Sequence, residues 1–161
     1  MTVTNPLRDE HEQLLPHIES LRDVADSIEE HQTGTIPGLG DAVDFLTHHL
    51  LPHAQAEDAA LYPRVEEVMG APGATATMQR DHVEVAGLIE ELKLLRDSLG
   101  PEPTPTQLHD LRRLLYGLYA IISLHFAKEE EVYLPILDSG LSAEDAAAMF
   151  ESMEKHASAA S

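Results

Sequence analysis

Two stretches of this 161-residue chain carry one pattern, about 72 residues apart. A His is followed four residues on by a Glu, and six residues after the Glu comes a Pro. The first copy is His53, Glu57 and Pro63; the second is His125, Glu129 and Pro135. Residues four apart on a helix share one face, so each pair can present an imidazole nitrogen and a carboxylate oxygen to the same point. Such atoms bind divalent and trivalent metals. A further His stands upstream of each pair in a matched context. His11 follows Arg8-Asp9-Glu10 and His82 follows Arg80-Asp81, at intervals of 42 and 43 residues from His53 and His125. One His-x3-Glu pair is a weak signal. Two in register, each with its upstream His and its proline, read as a duplicated two-helix unit with one ligand set per half.

The expected metal ligands are therefore His11, His53, Glu57, His82, His125 and Glu129. All six fall on inferred core-facing stripes. Burying them without partners would cost several kcal/mol per group, roughly, and a pair of metals removes that cost. The carboxylates can bridge two metals, each of which then takes two His. The competing reading is a set of buried hydrogen-bonded His–Glu pairs with no metal. The chain has no Cys, which excludes disulfides, thiolate metal sites and Cys nucleophiles. No Glu has a His three residues after it, so the Glu-x-x-His pattern of ferritin-like bundles is absent. Zinc sites draw four ligands from closer segments. Nitrogen and oxygen ligands spread over four helices suit iron or manganese better.

Four long helices must position these residues. Asn5-Pro6 reads as a helix start, with Asn as N-cap and Pro at N1. Apolar residues then recur at helical period from Leu7 to Ile28, with His11 in the stripe. The Gly- and Pro-rich stretch at 33–40 breaks the chain. A second helix is predicted over about 41–69, a third over about 76–99 and a fourth to about 137. Thr104-Pro105-Thr106-Gln107 has the form of a capping box. Pro16 and Pro52 lie inside the first two helices and are expected to kink them. Ser142, with Glu144 and Asp145, caps a short fifth helix to about 155, and 157–161 is expected to fray. No alternating pattern suggests a strand. The fold class is thus all-α: an up-down-up-down four-helix bundle over about 6–138, with a short C-terminal fifth helix, in a single domain over 1–161.

The formal net charge of -19 gives a surface that repels nucleic acid and anionic lipid, so neither is expected as a partner. No run of about 18 apolar residues is long enough to span a membrane. The N-terminus has no basic segment followed by an apolar one, so no secretory signal is expected and a cytoplasmic location is. Small molecules remain as the expected partners.

On His11, His53-x3-Glu57 with its Leu61-Tyr62-Pro63, His82 and His125-x3-Glu129, the chain resembles the hemerythrin-like family, the His-His-Glu cation-binding domains. The resemblance covers about 7–137. It implies a four-helix bundle around a non-haem di-iron centre with an oxo or hydroxo bridge. Glu57 and Glu129 would bridge the two iron ions, His11 and His53 would bind one, and His82 and His125 the other. The oxygen-carrying members have a second His four residues after the third-helix His, where this chain has Ala86, and end on His-x4-Asp rather than His-x3-Glu. These departures imply a centre that reacts with O₂, hydrogen peroxide or nitric oxide rather than a simple O₂ carrier. The function expected is catalase- or peroxidase-like defence against oxidative stress. The alternatives are an O₂ or nitric oxide carrier, an iron or O₂ sensor, and a metal-storing structural bundle.

His49, one helical turn before His53, is a possible seventh ligand, hydrogen-bonding neighbour or gate, and Glu90 a weaker candidate. Tyr62 and Tyr133 are expected to pack in the bundle, with a hydrogen bond or electron donated to the centre as their alternative role. His17, His31, His48, His109 and His156 are expected at the surface, Glu130 and Glu131 on a solvated face, and the Met residues as core filler.

Overall fold

Helices are the only regular structure among the residues described, 2–160, of this computed structural model. Met1 and Ser161, the ends of the expected domain and of the expected tail, lie outside them. α1 is Asn5–Ser27. α2 is one continuous rod over 39–69, α3 is Ala76–Asp97, α4 is a second continuous rod over 105–140, and α5 is Ala143–Ala160. α1 packs against α2 and α4, and α3 packs against the same two, which closes the expected four-helix bundle. α5 lies along the middle of α2. No helix among the described residues is long and apolar enough to cross a membrane.

Helix ends follow local chemistry, with two corrections. Gln107 N–H donates to Thr104 Oγ1 at 3.2 Å and Thr104 N–H donates to Gln107 Oε1 at 2.9 Å, so the capping box forms. Ser142 caps α5 through Asp145 N–H at 3.1 Å. At the start of α1, however, the N-cap is Thr4 rather than Asn5, and its side chain makes no cap bond. Its N–H and hydroxyl instead donate to Asp138 Oδ1 at 3.0 and 2.8 Å, tying the N-terminus to the end of α4. The fifth helix is also longer than expected. It continues through the predicted tail to Ala160, because Met149, Met153 and Ala157 extend an apolar stripe that packs on the bundle.

Prolines shape the two ligand-bearing rods. Three turns are widened to π geometry: Leu46–Leu50 and Glu57–Leu61 in α2, and Glu129–Tyr133 in α4. A proline stands two residues beyond each, at Pro52, Pro63 and Pro135. A proline ring clashes with the carbonyl four residues back and offers no N–H. In each case the residue before the proline donates to the carbonyl five residues back: Leu51 to Leu46, Tyr62 to Glu57 and Leu134 to Glu129. The wider turn makes room for the ring without breaking the helix. Pro16 lies within the uninterrupted α1.

Two apolar clusters fill the bundle. One holds Leu14, Leu50, Val85, Ile122 and Phe126; the other holds Leu7, Leu61, Met78 and Leu134. On each of α1 to α4 the chain passes from one cluster to the other through a predicted ligand: His11, then His53 and Glu57, His82, and His125 and Glu129. The six polar residues therefore form one layer across the bundle.

Near the ends of α2 and α4, Gly140 meets Val68. A Cβ on Gly140 would come within 2.2 Å of Val68 Cγ1, closer than packed atoms can stand. Gly140→Ala is expected to destabilise the protein by about 1–3 kcal/mol in urea unfolding. The double variant with Val68→Ala should recover part of that loss. A single variant as stable as the parent would show that the two rods separate freely.

Candidate metal centre

The layer brings all six predicted residues together. None is more than 8% exposed, and Glu57 and Glu129 are 0% exposed. Glu57 sits at the centre: its Oε1 is 2.9 Å from His53 Nε2 and 3.7 Å from His11 Nε2, and its Oε2 is 3.2 Å from His82 Nε2 and 3.9 Å from His125 Nε2. Glu129 Oε2 lies 3.4 Å from His11 Nε2, and its Oε1 lies 3.2 Å from His125 Nε2. Two overlapping groups result, one of His11, His53, Glu57 and Glu129, the other of Glu57, His82 and His125. Within each, the ligand atoms lie within 4.8 Å of one another.

Hydrogen bonding among these residues is incomplete in a telling way. His11 Nε2, His53 Nε2, both oxygens of Glu57 and Glu129 Oε2 are buried without a hydrogen-bond partner. Buried polar atoms are otherwise almost always paired. These five belong to the first group and to the carboxylate it shares with the second. In the second group His82 Nε2 and His125 Nε2 stand 2.9 Å apart, which requires a proton or a cation between their lone pairs. Two nitrogens and carboxylate oxygens per position, with no Cys in the chain, form a donor set that fits divalent or trivalent metal ions.

The outer nitrogens explain how the imidazoles are aimed. His53 Nδ1 bonds Glu10 Oε1 at 2.9 Å, His82 Nδ1 bonds Asp58 Oδ1 at 2.8 Å, His125 Nδ1 bonds Asp81 Oδ2 at 3.0 Å and His11 Nδ1 bonds Glu130 Oε1 at 2.7 Å. Carboxylates only accept, so each Nδ1 carries a proton and each Nε2 faces inward, where it could bind a metal. The four contacts form a closed circuit. α1 supplies the acid for the α2 His, α2 for α3, α3 for α4 and α4 for α1. Lys128 pairs with Asp81, and Arg8 pairs with Glu130 while reaching Asp138 at 3.2 Å.

These acids escaped the sequence reading, and Glu130 corrects the expectation that it belongs to a solvated face. The available signal was an acidic residue beside a ligand at all four places: before His11 and His82, and after Glu57 and Glu129. Tyr62 combines the two roles expected of it. It packs at 0% exposure, but its hydroxyl also donates to Glu129 Oε1 at 2.7 Å and lies 2.9 Å from His125 Nε2. The widened turn after Glu57 rotates Tyr62 inward, where an unbroken α-helix would place it roughly 140° away. Tyr133 packs in the apolar cluster, and Leu134 occupies the place before Pro135 that Tyr62 holds before Pro63.

His49 does not join the layer. The widened turn over Leu46–Leu50 breaks its four-residue alignment with His53, and it is exposed, facing the Phe45 ring at 6.3 Å. Glu90 is exposed and paired with Lys93 at 2.9 Å. His17, His31, His48, His109 and His156 are exposed.

Protonation of the centre is set by its charges. Burial pulls the His53 pKa down, but the Glu57 charge and the hydrogen bond to Glu10 outweigh it and hold it well above the usual value. Burial likewise opposes the proton on His125, yet Glu129 and Glu57 push its pKa up to about 10. Glu57 is pushed up by burial and down by His53, His11 and His125, and the imidazoles prevail, leaving it well below the usual range. The Tyr62 phenol is raised by burial and by Glu57 and Glu129, so it stays protonated and donates.

The family model for the hemerythrin HHE cation binding domain matches residues 2–137. The chain is 26% identical over 131 residues to an iron-sulfur cluster repair protein YtfE of Edwardsiella ictaluri, covering 78% of this chain and 58% of that protein. The YtfE of Cronobacter sakazakii is 26% identical over 97 residues, 59% of this chain and 44% of that protein. The YtfE of Musicola paradisiaca is 23% identical over 117 residues, 71% of this chain and 51% of that protein. The chain thus spans about half the length of the curated relatives it matches. No solved structure matches it significantly.

Without metal, these shifts give stability a pH signature. The raised His125 pKa contributes stability that is fully present below about 6.5 and is lost as pH rises through about 10. The lowered Glu57 pKa contributes stability that is present above its ordinary value of 4.5 and is lost as pH falls below it. Metal must displace imidazole protons, so its apparent affinity should rise from pH 6 to pH 8 with net proton release. Urea melts of metal-free protein at pH 6 and pH 10, with calorimetry of metal binding in two buffers, measure both effects. Affinity independent of pH would contradict the charge assignment.

Proposed function

The chain belongs to the hemerythrin HHE cation-binding family, and on that premise we propose that it is a di-iron protein that reacts with hydrogen peroxide in defence against oxidative stress. One observation carries the metal reading: the five buried, unpartnered ligand atoms in the polar layer. His11 and His53 would hold one iron and His82 and His125 the other, with Glu57 and Glu129 shared between them. When bound, the irons supply Lewis acidity and the capacity to exchange electrons with a small oxidant.

The protein's own contribution is selection by size and control of protons. A cavity of about 20 Å³ adjoins the layer, lined by His53, Glu57, His82 and His125 on its polar side and by Leu50, Val85, Ile122 and Phe126 on the other. So small a space suits a molecule of about two heavy atoms and not a larger substrate. Its apolar wall keeps bulk water from the reacting centre. Tyr62 holds a proton beside Glu129 and His125, the position of a proton donor to the second metal site. Disproportionation, in which two H₂O₂ give two H₂O and one O₂, needs no outside reductant, and none is needed here.

The relatives' names, which speak of iron-sulfur cluster repair, support a setting of oxidative or nitrosative damage, and a cytoplasmic location fits that setting. The same cavity suits neutral diatomics, so reversible binding of O₂ or nitric oxide is the second reading. It is favoured by the apolar wall at Ile122 and Phe126.

Iron analysis of protein from iron-replete cells should find about two irons per chain, and His53→Ala about one or fewer. The loaded protein should evolve O₂ from peroxide. Tyr62→Phe should keep its iron but lose turnover on the order of 10²-fold. A fully loaded protein that leaves peroxide untouched yet gives a reversible spectrum with O₂ or nitric oxide would overturn the peroxide reading in favour of the second.

A further inference from the structure

The ligand layer is sealed above and below by the two apolar clusters, which a hydrated cation cannot cross. A metal must therefore reach it from the side, between neighbouring helices. At each of the four boundaries between neighbouring helices stands one acid of the circuit. At two of them a cation already stands. Lys128 pairs with Asp81 between α3 and α4, and Arg8 pairs with Glu130 between α4 and α1. Those acids are also the better covered, at 25% and 31% exposure. Glu10, between α1 and α2, is 48% exposed, and Asp58, between α2 and α3, is 41% exposed. Among the described residues no Lys or Arg pairs with either.

Of these two open sides, the one at Glu10 leads inward through a cleft of about 140 Å³. Its floor is Glu10 and His53, and its roof is Phe150, Met153, Glu154 and Ala157 of α5. Glu154 is exposed and places a second carboxylate on the cleft wall. His53, at 3% exposure, turns Nδ1 to Glu10 and its unpartnered Nε2 to the centre, so one ring connects the cleft with the ligand layer.

We infer that this cleft is the route by which a divalent cation is loaded into the centre, with Glu154 and Glu10 as successive carboxylates that bring it past the His53 ring to the inward-facing Nε2. The inference rests on the metal-centre reading above. The surface charge attracts cations everywhere, but only a route free of fixed positive charge and floored by a ligand delivers them. Glu154 acts in loading and has no place among the ligands, so it governs the rate of uptake and not the amount bound.

Stopped-flow mixing of metal-free full-length protein with cobalt(II), followed by visible absorption and by final metal content, tests this. Glu154→Lys should take up cobalt about tenfold more slowly, the low end of electrostatic steering, with an unchanged final content. Glu151→Lys carries the same charge change on the same helix but lies outside the cleft, and should load nearly as fast as the parent. Ala157→Phe, which narrows the cleft without altering charge, should also slow uptake. Equal slowing by the two lysine variants would reduce the effect to overall charge and overturn the route, as would a Glu154→Lys protein that loads at the parent rate. A parent protein that binds no cobalt or iron at equilibrium would instead fail the metal-centre reading, a result distinct from either.

Discussion

Four imidazoles and two carboxylates occupy one buried layer between apolar clusters, and the cost of desolvating them governs the rest of the structure. A buried carboxylate without a partner costs several kcal/mol, roughly, and two of them within reach of each other cost more. Nothing in the layer itself neutralises that cost completely, since both Glu57 oxygens lack hydrogen bonds. The centre must therefore hold positive charge, as metal ions or as protons on the imidazoles. The bundle makes this possible by presenting ligands from four rods at one height, which no single helix could do. The apolar clusters in turn remove the water that would otherwise compete for the same atoms.

The duplicated halves are alike in their ligands and unlike in what surrounds them. Three residues beyond the shared carboxylates, Ala60 is buried under α5, while its counterpart Val132 is 49% exposed. One residue before them, Ala56 is buried, while its counterpart Lys128 reaches Asp81. Small side chains on α2 allow α5 to approach closely, and the bulkier face of α4 is left open. Just before the prolines, Tyr62 brings a hydroxyl to the layer where Leu134 brings none. Two halves built from equivalent candidate ligands are thereby made chemically different, one of them beside a proton donor.

Much of this was legible in the sequence. The spacing of His11, His53, Glu57, His82, His125 and Glu129 requires only that helices have a fixed pitch, and the apolar stripes locate those helices. The readings that failed did so where the pitch changes or where a contact crosses between helices. His49 shares a face with His53 only on an α-helix of constant pitch, and the turn widened before Pro52 breaks that alignment, while the turn widened before Pro63 carries Tyr62 inward. Glu10, Asp58, Asp81 and Glu130 sit one position off the ligand stripe, which on an isolated helix points them away from the site. Only the packing angle of the neighbouring helix brings each to an imidazole, and one helix's periodicity contains no information about that angle. The length of α5 was underestimated because its Ala-rich end has little hydrophobic signal until α2 is there to pack against.

The circuit of acids also bears on when the site forms. Each contact joins two neighbouring helices, so the four together fasten the bundle at the height where its interior is least able to hold itself together. In the metal-free state they face imidazoles whose pKa values the central carboxylates raise, and imidazolium–carboxylate pairs then supply the positive charge the layer requires. The same outer hydrogen bonds persist when Nε2 gives up its proton, since they involve Nδ1 alone. Folding and metal binding thus make use of one geometry. Protons can hold the layer until a cation replaces them, and the outer hydrogen bonds to Nδ1 need not break for that exchange.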